Sequence, residues 1–223
     1  NLSNKQREYS RYIQKFSQFN EKDTKKAKKQ VSDFFEFKSD KDIKDLFGDG
    51  DILEMKAEIT DDNSINIKTL VEDGFLNRTF DKQNMVVSME EFYINPSYEK
   101  GKGKGSEIFS NQIEQFKGKN YKKVITLAAT GEGFNGSYTW ARLGYSINKE
   151  DDFGRLDQIE FDQLMKNNNR KEKTLEDLMK TKNGQDFWKQ YSFDFHGSFD
   201  LSEDSINMKN LKKYQDDRKG NVR

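Results

Sequence analysis

The chain contains no cysteine and a single histidine, His196. Disulfides, thiolate metal sites and a cysteine nucleophile are therefore excluded, as are metal sites built from several histidines. An excess of charge of one sign is also lacking. Lys and Arg number 39, Asp and Glu number 39, and the formal net charge is +0. Contact with a nucleic-acid backbone draws on surplus positive charge, so nucleic acid is not an expected partner. No apolar run approaches the ~18 residues of a membrane span, and no signal-peptide pattern opens the sequence. Hydrophobic residues are few, 32% of 223 positions, which is low for a globular domain. Aromatics, however, reach 13%, with 18 Phe, and large rings build a core from fewer residues. The first residue is Asn rather than Met, which reads as an excised or processed segment. A cytoplasmic protein with no membrane partner is the expectation.

Three stretches differ in pattern. Residues 1–50 read as a helical N-terminal extension. Ser3 can cap, and Tyr9, Tyr12, Ile13, Phe16 and Phe19 follow at helical spacing. "KDTKKAKKQVSDFF" puts Ala27, Val31, Phe34 and Phe35 on one side, and a short turn ends at Gly48. The lysines at 25–29 read as a solvated helix face. From Asp51 the period becomes two. "ILEMKAEIT" alternates with Leu53, Met55, Ala57 and Ile59 on one face, and "INIKTLV", "FLNRTF" and "MVVSMEEFYIN" follow after short polar turns. Sequential strands joined this way pair as antiparallel neighbours. A helix carrying Ile108, Phe109, Ile113 and Phe116 comes next, then "YKKVITLAAT", a strand apolar enough for burial on both faces, and a short helix ending at Gly144. Residues 149–223 read as a helical C-terminal extension. It holds two helical stretches broken by "NNNRKEK", then a strand near "FDFHGSFDL", a short helix and a tail.

The stretch "YEKGKGKGSEIF" at 98–109 lies between the fourth strand and the helix. It fails the Walker pattern, because no glycine five residues after Gly101 or Gly103 is followed by Lys and Ser/Thr. It fails the dinucleotide fingerprint G-x-G-x-x-G, because the third place is Ser106. Glycines still let the backbone approach a phosphate closely. A helix starting near Ser106 points its N–H groups at the same spot. Lys100, Lys102 and Lys104 add positive charge.

The pattern that fits is [QR]-x-x-G-x-[GA], with Lys100 in the first place and Gly103 and Gly105 in the glycine places. "FYINPSYEKGKGKGSEIF", "VITLAAT" and "NGSYTWARLGYS" follow in the same order. Residues 51–148 thereby resemble the core of the GCN5-related N-acetyltransferase superfamily. The resemblance implies an α/β fold with a mixed, mostly antiparallel central sheet flanked by helices. It implies acetyl-CoA as cofactor and a small-molecule or protein amine as acceptor. Lys100, Gly101, Lys102, Gly103, Lys104, Gly105 and Ser106 would hold the pyrophosphate, with Asn135 also on the cofactor. Backbone N–H groups of Phe92, Tyr93 and Ile94 would hold the thioester carbonyl. The stretch from Pro96 to Lys100 is one residue longer than the family's. "RTF", the glycine–lysine loop and "NGSYTWARLGY" also resemble acetyltransferase-like domains of phage and mobile-element proteins, which implies a virion-associated location and a protein partner.

Glu90 and Glu91 are the candidates for the carboxylate that takes the proton from the amine. A regular strand would set them on opposite faces, so that only one serves. Glu132 is a weaker candidate. The family's general acid is a Tyr four residues before the glycine, and here that place is Trp140. Tyr138 lies about 200° around the helix and does not substitute. A thiol with a pKa of about 8.5 leaves as thiolate without strong help. Three readings stand: an N-acetyltransferase, a structural and interaction module that keeps the fold without the chemistry, or a toxin-like acetyltransferase acting on a charged RNA or protein, against whose RNA form the neutral net charge speaks. His196, far along the chain, reads as structural, and Trp188 as packing with Phe187, Phe193 and Phe195.

Overall fold

A computed structural model describes residues 21–48, 51–61, 63–71, 74–94, 104–131 and 134–220. The first expected helix, at Tyr9–Phe19, lies outside them, as does most of the glycine–lysine loop. The chain forms two compact units, Asn1–Tyr121 and Lys122–Arg223.

In the first unit, helix α1 (Glu21–Phe35) buries Ala27 and Val31, one turn apart. Its Thr24 hydroxyl accepts the backbone N–H of Met55 at 3.2 Å, tying it to the first strand. Ser39 caps α2 (Asp40–Leu46) in a reciprocal box with Asp42. Those bonds, the Ser39 hydroxyl first, hold the Asp42 carboxyl below its ordinary value. Four strands follow: β1 (Ile52–Asp61), β2 (Ser64–Val71), β3 (Gly74–Asp81) and β4 (Val86–Ile94). They pair in order as antiparallel neighbours, as their short turns require. One face carries Ile65, Ile67, Leu76, Phe80, Val87 and Met89, all buried. Helix α3 (Lys104–Gly118) packs here through Ile108, Phe109, Ile113 and Phe116, the four positions its spacing predicts. Phe80 meets Phe116 edge-on, and α1 reaches the same face through Phe35 on Phe80.

Of the inward face expected for β1, Met55, Ala57 and Ile59 hold it, opposite Thr69, Ile67 and Ile65, and Leu53 alone departs. Ile52 pairs with Val71 and Glu54 with Leu70, so Leu53 is an extra residue. This bulge gives Ile52 the inward phase and leaves Leu53 56% exposed. Met55 is buried, while Ile59 near the strand's end is 49% exposed.

In the second unit, β5 (Lys123–Ala128) pairs antiparallel with β9 (Phe195–Asp200), and β9 with β8 (Ser146–Ile147). A two-stranded ribbon, β6 (Thr130–Gly131) with β7 (Phe134–Asn135), precedes α4 (Gly136–Arg142). Helices α5 (Asp152–Asn167), α6 (Leu175–Met179), α7 (Lys182–Tyr191) and α8 (Ile206–Gly220) complete it. The expected burial of β5 on both faces does not hold. Val124 and Ala128 are buried, whereas Leu127 on the other face is 54% exposed. Trp188 is fully buried, donates to the Ser137 carbonyl at 3.2 Å and packs on Phe161, Phe193 and Phe195. Phe187 instead packs against Tyr191 and under Arg170.

Mostly antiparallel strands flanked by helices make a mixed α/β chain, the class read from the sequence. No helix among the described residues is long and apolar enough to cross a membrane.

Candidate active site

The β3–β4 hairpin builds the site. Its turn is fixed by Asp81, whose carboxylate accepts the backbone N–H of Asn84 at 2.9 Å and the Asn84 amide at 2.7 Å. These bonds hold the Asp81 carboxyl below its ordinary value. From the turn the pairs run Asp81↔Val86, Phe80↔Val87, Thr79↔Ser88 and Arg78↔Met89. The next pair is Asn77↔Glu91, so Glu90 has no opposite number and forms a bulge in β4.

That extra residue reverses one expectation. Directly paired residues of an antiparallel sheet share a face. Glu91 therefore lies on the face of Asn77, and Glu90 accepts a hydrogen bond from Thr79 of that same face at 3.3 Å. The two carboxylates do not sit on opposite faces; the bulge brings both to the face away from α3. Asn66 of β2 completes the cluster. Its amide donates to the Asn77 side-chain oxygen at 2.9 Å and to the Thr79 hydroxyl at 2.8 Å. Asn66, Thr79 and Glu90 thus form a hydrogen-bonded line across three strands. Glu90 is exposed and Glu91 half-buried, so the carboxylate at the end of the line is the accessible one.

Behind the bulge, on the α3 face, lies a fully buried arginine. Arg78 donates to the carbonyls of Asn77 at 2.9 Å and Glu91 at 2.6 Å. It also donates to the side-chain oxygen of Gln112, buried on α3, at 3.1 Å. Its guanidinium stands 5.3 Å from the centre of the Phe92 ring. Phe92 pairs with Leu76, Tyr93 with Phe75, and Ile94 with Gly74 at the end of β4.

Of the expected phosphate residues, Lys100, Gly101, Lys102 and Gly103 lie outside the described residues. Lys104, Gly105 and Ser106 form the first turn of α3, a 15-residue helix. Lys104 lies 3.9 Å from Glu107, an exposed pair one turn apart. A helix start bearing a lysine fits a phosphate group in charge and in donor chemistry.

The second unit carries the remaining candidates. Asn135 lies in β7 opposite Thr130, and Glu132 is outside the described residues. Trp140 of α4 is 7% exposed and meets the Tyr145 ring edge-on at 5.2 Å. Tyr138 is flanked by Arg142 and Lys189, each about 6 Å from its ring centre. His196 is held by Asp157, whose carboxylate accepts its backbone N–H at 2.6 Å and lies 2.9 Å from Nδ1. Phe153 stacks on its ring at 5.2 Å. Among the described residues no cluster of three or more His, Asp or Glu could hold a metal ion.

Asn66, Asn77, Thr79, Arg78 and Gln112 were not legible as site residues from spacing alone. One signal was present. The inward positions of "VVSMEEFYI" run Val87, Met89, then Phe92, a three-residue gap that marks an inserted residue.

No protein-family model matches the chain, and no curated protein matches it. Among solved structures, a nourseothricin acetyltransferase is similar over 40% of this chain at 16% identity, with a TM-score of 0.30. The match spans 55% of that protein's length. A likeness of this size carries no argument about the present chain.

Proposed function

We propose that the chain binds acetyl-CoA and transfers its acetyl group to an amine, with Glu90 as the general base. The observation that carries this reading is the β4 bulge, which brings Glu90 and Glu91 to one polar face. Bound acetyl-CoA supplies an activated acyl carbon. The chain's residues do the rest. Lys100, Gly103 and the first turn of α3 at Lys104–Ser106 hold the diphosphate. Backbone N–H groups after the bulge, at Phe92 to Ile94, hold the thioester oxygen as negative charge develops on it. The Glu90 carboxylate accepts a proton from the amine as the nitrogen–carbon bond forms and the carbon–sulfur bond breaks. The electron pair leaves on sulfur as thiolate, which takes its proton from water. Asn66 and Thr79 fix the Glu90 carboxylate toward that task. The acceptor is an amine on a small molecule or a protein.

Calorimetry on the full chain tests binding, with a dissociation constant expected between about 1 µM and 1 mM. Gly103→Asp abolishes it by placing a carboxylate where the diphosphate sits. Glu90→Gln leaves binding intact and lowers kcat by roughly 10²–10⁴-fold. Absence of any acetyl-CoA binding by the wild type sinks the reading. The second reading, a catalytically weak or inactive structural or interaction module, is favoured by one observation. The place of the usual acid is occupied by Trp140, which is buried and has no hydroxyl. A broad amine panel with no acetylated product, despite acetyl-CoA binding, decides for it.

A further inference from the structure

A bulge leaves part of a ladder irregular, and the backbone groups there need other partners. Here those partners come from one side chain. The carbonyls of Asn77 and Glu91, the residues paired at the irregular step, both accept from Arg78. The guanidinium is planar and carries five donors in a fixed fork, so it can serve two strands and a helix at once. Its third acceptor, Gln112, is anchored in α3 among Phe109, Ile113 and Phe116. The arginine therefore joins β3, β4 and α3 at the step that turns Glu90 and Glu91 onto one face.

We propose that Arg78 is a positioning residue: its buried guanidinium holds the β4 bulge and so keeps Glu90 and Glu91 together on the polar face. The alternative register makes the consequence concrete. With the turn-side pair Arg78↔Met89 kept and the bulge deleted, Asn77 would face Glu90, Leu76 would face Glu91 and Phe75 would face Phe92. Leu76 lies on the α3 side, so Glu91 would be driven into the core and Phe92 turned out of it. The apolar pattern opposes that complete slip. Loss of the guanidinium instead loosens the bulge, because a buried carbonyl and a part-buried one lose charge-assisted partners. The catalytic consequence rests on the acetyl-transfer reading; the structural one does not.

The test uses the full chain and reads amide hydrogen exchange beside kinetics. In Arg78→Met, exchange at Glu90, Glu91 and Phe92 is expected to rise about tenfold or more, the loss of one charge-assisted bond. Amides of β1 and β2 stay as in the wild type. Acetyl transfer is expected to lose about 100-fold in kcat, the cost of a displacement near 1 Å. The KM for acetyl-CoA stays within about threefold, since the chain's phosphate contacts are untouched. Arg78→Lys restores the charge but not the fork and is expected not to rescue. Rescue by lysine, or wild-type exchange at the three amides in a folded Arg78→Met, overturns the proposal. Where Arg78→Met fails to fold, Gln112→Met decides. It frees one donor of the guanidinium and is expected to raise exchange at the same three amides about tenfold; no change there overturns the proposal. A wild type that binds no acetyl-CoA, together with raised exchange in these variants, removes the enzyme reading and leaves the role of Arg78 standing.

Discussion

Tyr121 is 4% exposed, and its buried hydroxyl finds no hydrogen-bond partner among the described residues. The ring earns its place by packing edge-on against Phe80. Burial, with the nearby Asp81 charge second, pushes the phenol far above its ordinary value. The sign of the pH effect follows. A phenol whose folded value is raised contributes stability that is fully present below its unfolded value, near pH 10, and lost as pH rises toward the folded one. Tyr121→Phe keeps the ring and removes the unpaired hydroxyl. It is expected to leave stability at pH 7 unchanged or raise it by up to about 1 kcal/mol. Between pH 10 and 11 the variant is expected to lose less stability than the wild type in parallel urea titrations. Equal losses for the two proteins dispose of this account. The same scale governs Glu90. Removing its hydrogen-bond donor by Thr79→Val is expected to cost transfer activity less than Glu90→Gln does, because the carboxylate survives and only its orientation is freed.

At the scale of elements, Gly144 closes the turn after α4 with φ +105°. A methyl group there would stand 2.8 Å from the Asn207 carbonyl oxygen of α8. The Asn207 amide in turn donates to the Gly144 carbonyl at 2.7 Å. Gly144→Ala combines a left-handed backbone, costing roughly 1–2 kcal/mol, with that clash. A fall in the urea midpoint corresponding to at least this amount is expected; a variant as stable as the wild type removes the argument. The glycine and the helix before it were legible in "WARLGY", because φ above zero selects glycine so strongly. The strands were legible for a similar reason, since period-two alternation follows directly from the pleat. The bulge at Leu53 was not, and that at Glu90 showed only in the three-residue gap from Met89 to Phe92. A bulge adds one residue without changing the type of any neighbour. In β1 a leucine occupies the extra place and hides the phase change, and in β4 two adjacent glutamates do so. Alternation counted straight through them assigns one carboxylate to each face. Arg78 was opaque for another reason: an arginine inside "FLNRTF" reads as an outward side chain until the helix carrying Gln112 is seen above it. Leu127 shows the converse, an apolar run that bulk hydropathy marks as buried although one face is open.

For the molecule as a whole, charge decides how an anionic ligand is received. The 39 positive and 39 negative residues cancel, so no global field draws an anion in from a distance. On the proposed function, attraction for a diphosphate comes from local groups, and Lys100, Lys102 and Lys104 are the ones the sequence concentrates there. Exposed charges act over about 8–10 Å at physiological salt, so the effect is confined to the loop. Binding of acetyl-CoA is expected to weaken with ionic strength, and the Lys100→Gln, Lys102→Gln double variant to weaken it further and flatten that dependence. The same equilibrium appears in heat stability. A ligand at 100 times its dissociation constant stabilises the folded state by about 2.7 kcal/mol. For a chain of this length each kcal/mol is roughly 2–4 °C in Tm, so acetyl-CoA is expected to raise Tm by roughly 5–10 °C. Coenzyme A without the acetyl group carries the same phosphates and is expected to give most of that shift. Gly103→Asp is expected to give none. A wild-type shift below about 1 °C at millimolar acetyl-CoA, in buffer of low ionic strength, means that the loop does not receive the ligand, and with it falls the assignment of Lys100 and Gly103 to a diphosphate.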